Sequence, residues 1–172
     1  MFIWRFLVVS SKSSMQKKLG KWFSKAERVA VAGVGNPIRM DDFVGVKVVQ
    51  DLQGRVSEKV YLIECETVPE NFMPQIIDFS PTHVLLVDAA LLGSKPGSYK
   101  LVEPERLTMY PAFSTHMLPL RIFCEHIKET TRAKIALLLV EPEKSDFGEG
   151  LTPSVQASVK EIVQTLLELL PR

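Results

Sequence analysis

Four side chains in this sequence belong to the types that hold metals or move protons, and each sits where an ordered segment ends: Asp41, Asp42, Asp88 and His116. Asp41 and Asp42 lie side by side, a few residues after Gly33-Val34-Gly35-Asn36-Pro37. Asp88 closes the apolar run Val84-Leu85-Leu86-Val87, and His116 falls in Phe113-Ser114-Thr115-His116-Met117, ahead of a helical pattern. Two carboxylates and one imidazole suit a divalent transition metal: imidazole favours nickel, zinc or copper, and carboxylate oxygens add charge. Each residue also has a plainer reading alone. Asp42 can cap a helix, Asp88 can accept loop amide hydrogens, and Ser-Thr-His can be a cap.

The elements around them decide whether they meet. Val29 to Val34 reads as a short strand that breaks into a Gly-Asn-Pro turn, with Gly35, Asn36 and Asp41 forming a supporting loop. Val44, Val48, Val49 and Leu52 mark a helix from Asp42 to Leu52, whose start suits an acid. Val60 to Glu64 is a second strand, and Pro69 opens a short helix through Ile77. Val84–Asp88 reads as a central parallel strand covered on both faces. Ser98 to Val102 is an edge candidate, Ala133 to Val140 the next strand. Leu120, Phe123 and Ile127 stripe a helix over 118–129, and Val155 through Leu170 stripe a closing one. Such alternation predicts an α/β three-layer sandwich: a central, mostly parallel twisted sheet flanked by helices. In a parallel sheet the strand C-termini share one edge, so these distant segments can converge there.

The bulk numbers agree with one domain. The chain has 172 residues, 46% hydrophobic and 24% charged, with net charge +1. That balance gives no electrostatic footprint for nucleic acid or an anionic membrane. Cys65 and Cys124 form no CxxC pair, so a reducing, cytoplasmic compartment is expected. Residues 1–14 read as an extension of unassigned role, with Met15 an alternative start and a signal peptide the competing reading; 15–172 is the single domain. Other motifs are weaker. Gly33-x-Gly35 lacks the third glycine of a dinucleotide loop, Ser114 lacks a GxSxG elbow, and Cys124 and His126 point to different helix faces. His83 reads as a turn residue before a buried strand.

Several ordered segments resemble the hydrogenase maturation endopeptidases, in particular the NiFe-hydrogenase-3 (HycI-like) group. They are Gly33–Pro37 with Asp41-Asp42, Val68–Asn71, Leu85–Ala90 with Lys95–Gly97, Ser114–Leu120, Val140–Pro142 and Phe147–Pro153. The resemblance implies an aspartic-type peptidase that removes the C-terminal tail of a hydrogenase large-subunit precursor after nickel insertion. It implies Asp42, Asp88 and His116 as metal contacts, with Asp42 and Asp88 catalytic and Asp41 the less suited of its pair. Nickel would arrive on the precursor, and the resting enzyme can be metal-free. A monomer or weak homo-oligomer is expected. Two departures stand out: Phe43 follows the acid pair where the family has glycine, and Glu141 replaces a glutamine. The alternative reading is a non-catalytic factor that checks nickel loading or binds metal, and a third is a nucleotide-binding α/β domain.

Overall fold

The computed structural model describes residues 14–109 and 117–172. Three apolar runs dictate its centre. β1 (Val29–Val34), β3 (His83–Ala89) and β5 (Lys134–Val140) are buried along most of their length, as strands covered on both faces must be. β2 (Val60–Glu66) pairs with β1, and the short β4 (Tyr99–Val102) pairs antiparallel with β5. The sheet order is β2-β1-β3-β5-β4, parallel except for β4 at its edge. This is the α/β sandwich that the alternating pattern predicts.

Helices cover both faces. On one lie α1 (residues 14–22), α2 (Val44–Leu52) and α5 (Pro153–Leu169), which bury Leu19, Val48, Leu52, Val159, Ile162 and Leu166 against the sheet. On the other, α3 (Met73–Phe79) and α4 (Met117–Thr131) bury Ile76, Phe123 and Ile127. The stripes expected on α4 and α5 are the ones that face inward. Ser14 already belongs to α1, so residues 1–13 of the proposed extension lie outside the described residues.

Three local differences separate the structure from the sequence reading. The acid pair does not open α2; it sits in a separate 3-10 turn, Met40–Phe43, and α2 begins at Val44. A tight turn is needed because the chain doubles back onto β1. Gly35 makes that return possible: its φ is +145°, and a Cβ there would lie 1.8 Å from the Asp42 carbonyl oxygen. Likewise Pro69–Phe72 forms a 3-10 turn of its own before α3. His83 is not a turn residue. It is the first residue of β3, buried to 2% exposure beside Trp22 and Phe23, with Nδ1 3.1 Å from Thr82 Oγ1 and no partner for Nε2. It lies at the N-terminal edge of the sheet, away from the acids.

Candidate active site

Sheet topology creates the site. After β1 the chain turns one way to β2, and after β2 it crosses over β1 to β3. The C-terminal ends of β1 and β3 are therefore a topological switch point, where loops splay apart and leave a crevice. Asp42 follows β1, and Asp88 is the next-to-last residue of β3.

Close packing draws the two together. Gly45, in the first turn of α2, has no room for a side chain: a Cβ would lie 2.0 Å from the Val87 carbonyl oxygen and 2.3 Å from that of Val34. The missing side chain lets α2 press its start between β1 and β3, directly after Asp42. Asp42 Oδ2 accepts the Asn36 N–H at 3.1 Å, and Asn36 Oδ1 accepts the Ile38 N–H at 3.1 Å, so the Gly-Asn-Pro loop is tied to the carboxylate. Asp88 Oδ1 accepts the Ala89 N–H at 2.8 Å.

The electrostatics follow from that placement. Asp88 is half-buried as a residue, but its carboxyl is enclosed by protein. Burial first, and the neighbouring Asp42 carboxylate second, push Asp88 up to about 8, against the smaller lowering effect of the Ala89 N–H. Asp88 thus holds a proton at neutral pH beside a second acid. A site of this kind gains most from a cation, which relieves both causes and displaces the proton. His116, the third expected contact, lies outside the described residues. Among the described residues no cluster of three or more metal-ligating side chains forms.

Asp41 does different work. It is fully buried, and four donors converge on it from across the chain. Oδ2 accepts the N–H groups of Glu143 (2.9 Å) and Lys144 (3.0 Å), Oδ1 accepts the Thr152 N–H (2.7 Å), and the Thr152 hydroxyl lies within 3.0 Å of both oxygens. The Asp41 N–H donates to the Lys144 carbonyl in return. Asp41 therefore stitches the loop after β1 to the loop after β5 and fixes where Asp42 points. Thr152 is the residue before α5, yet its hydroxyl makes no cap bond to the helix because Asp41 takes it.

Glu141 is a second inward-facing acid that the motif reading left unassigned. It is buried, and its Oε2 accepts the N–H groups of Leu92 (2.6 Å) and Ser94 (3.1 Å). Its backbone pairs with Gly97 and Ser98. A carboxylate here clamps the loop that follows Asp88. Two adjacent N–H donors would mark such an acceptor in a structure, but nothing in the local sequence does. Phe43 has φ of −73°, an ordinary helical value, so the turn makes no demand for glycine at that position.

Cys65 and Cys124 are both buried, and burial pushes each thiol up to about 12, as expected of structural cysteines without redox chemistry. His126 is exposed on α4.

The fold and sequence have recognisable relatives. A NiFe-hydrogenase maturation protease, HycI, from Thermococcus kodakarensis superposes with a TM-score of 0.82 at 32% identity, over 88% of this chain and 97% of that one. The hydrogenase maturating endopeptidase HybD of Escherichia coli superposes at 0.72 with 25% identity, over 83% and 91%. In sequence, the hydrogenase 3 maturation protease of E. coli K12 is 26% identical over 133 residues, covering 77% of this chain and 85% of that protein. The HycI family model, described as hydrogenase maturation protease, matches residues 46–169. A switch-point pair of acids held by a dedicated hydrogen-bonded base is thus found in a chain most of which follows known peptidases, and the chain belongs to the hydrogenase maturation protease family.

Proposed function

We propose that this peptidase is a nickel-dependent endopeptidase that removes the C-terminal tail of a NiFe-hydrogenase large-subunit precursor once nickel is in place. The observation that carries the reading is the Asp42–Asp88 pair, with one carboxyl pushed up to about 8, at the switch point of this family's fold. Nickel is cargo here, delivered by the precursor. Asp42, Asp88 and His116 would complete its coordination and so register the tail against the enzyme. Asp88 releases its proton as the cation arrives. The freed carboxylate is then a general base for water. Water adds to the scissile carbonyl carbon, the C–N bond breaks, and the proton passes to the leaving amine. The expected compartment is the cytoplasm; no helix among the described residues is long and apolar enough to cross a membrane.

Cleavage of nickel-loaded and nickel-free precursor, with Asp42→Ala as control, tests the reading. The expected result is loss of a short C-terminal peptide only with nickel and only with the wild-type protein. Efficient cutting of nickel-free precursor would overturn nickel dependence. Binding without shortening would favour a factor that checks nickel loading.

A further inference from the structure

Among the described residues five large apolar side chains are exposed: Ile38, Val68, Leu91, Ile122 and Phe147. Scattered exposed apolar residues need no explanation, but four of these are not scattered. Ile38 follows β1, Val68 follows β2, Leu91 follows β3 and Phe147 follows β5. All four strands are parallel, so all four side chains belong to loops at the one sheet edge that carries Asp42 and Asp88.

They are also held in place. Phe147 is 78% exposed, yet the Arg39 guanidinium stacks over its ring at 5.1 Å while Nη2 donates to the Ser145 carbonyl at 2.9 Å. The Gly148 N–H donates to the Ile38 carbonyl, and the Met40 N–H to the Gly148 carbonyl, each at 3.0 Å. Glu141 clamps the residues just after Leu91. Apolar side chains fixed in water by a hydrogen-bonded frame lose little freedom when something covers them.

Charge narrows what covers them. The loops at this edge (35–43, 66–72, 88–98 and 141–152) hold nine Asp and Glu against three Arg and Lys, in a chain whose net charge is +1. Even without the buried Asp41 and Glu141, acids outnumber bases. Adjacent strands lie about 4.8 Å apart, so β2 to β5 spans about 14 Å, the reach of about four residues of extended chain.

We infer that this edge seats an extended segment of the precursor that is both apolar and positively charged, laid across Ile38, Leu91 and Phe147 beside the bond to be cut. The inference rests on the endopeptidase reading above. Apolar contacts supply the affinity, and the acidic surround selects the charge.

Steady-state cleavage of nickel-loaded precursor tests it. Leu91→Ser with Phe147→Ser should raise KM about tenfold or more with kcat within about twofold, while Ile122→Ser on α4 moves neither. Asp146→Lys with Glu149→Lys should raise KM at low salt, and wild-type KM should rise between about 50 and 500 mM salt as the screening length shortens. An unmoved KM in the Leu91/Phe147 variant, or an equal effect from Ile122→Ser, overturns the docking inference and leaves the endopeptidase reading standing. A wild-type protein that leaves loaded precursor uncut overturns the reading and this inference with it.

Discussion

Replacing Asp41 by asparagine changes one atom and should cost much of the protein's stability. The amide nitrogen must take the place of Oδ1 or Oδ2, and both positions face N–H donors. In the less damaging orientation it replaces Oδ1, which faces the single Thr152 N–H rather than those of Glu143 and Lys144. The Thr152 N–H then stays buried without an acceptor, at about 1–3 kcal/mol. The two bonds to Oδ2 survive but lose their charge assistance, at roughly half their strength. Together these give about 3 kcal/mol, a fall in Tm of about 6–12 °C for a domain of this size. Urea unfolding followed by circular dichroism measures it directly. Thr152→Val, which removes the hydroxyl and keeps the N–H, provides the second corner of a double-mutant cycle, and the two changes should be non-additive because both act on the one carboxylate. A loss below about 1 kcal/mol for Asp41→Asn would refute the argument that this acid anchors the loops. So would additive effects in the cycle.

Three further outcomes follow from the same structure. Gly45→Ala places a Cβ 2.0 Å from the Val87 carbonyl, so it should destabilise severely, whereas Gly54→Ala meets nothing within 4 Å and should cost only the strain of its positive φ, about 1 kcal/mol; thermal unfolding separates them. Asp88 has its folded-state value raised, so the native state holds the extra proton, and its contribution to stability is full below the unfolded value and lost as pH rises through about 8. Asp88→Asn should therefore gain stability relative to wild type between pH 5 and pH 9, and a constant difference across that range would contradict the assignment. His83 is lowered, chiefly by burial and then by the Lys134 charge, so its contribution is lost as pH falls below about 6.5; His83→Phe should flatten the acid side of the stability curve in urea titrations at pH 5 to 7.

How much of this was legible in the sequence depends on distance along the chain. The apolar runs Val29–Val34, Val84–Val87 and Ile135–Val140 lie in strands because an uninterrupted apolar segment of this length is satisfied inside a covered sheet. The same logic placed Asp42 and Asp88 at one edge, since parallel strands share their C-terminal side. The partners of Asp41 were not legible. They lie more than a hundred positions away, and a Thr-Pro step before a helix reads locally as an ordinary cap. Glu141 stands out in the sequence as a departure from glutamine, but its clamp on Leu92 and Ser94 depends on β4 returning along β5, which no local pattern encodes. His83 reads as a turn residue because it follows Pro-Thr, and only the packing of Trp22 and Phe23 around it shows otherwise.

The stitch between positions 41 and 152 also fixes an order of events. These residues are 111 apart, and α2, β2, α3, β3, β4, α4 and β5 lie between them. Closing so long a loop is entropically costly unless the intervening chain has already folded. A nascent chain emerging N-terminus first can form β1 through β5 while the loop that carries Asp42 still lacks its fastening. The edge that carries Asp42 and Asp88 is then completed in the last stretch of synthesis. A chain ending before Thr152 would lack both this fastening and α5, a helix that covers one face of the sheet.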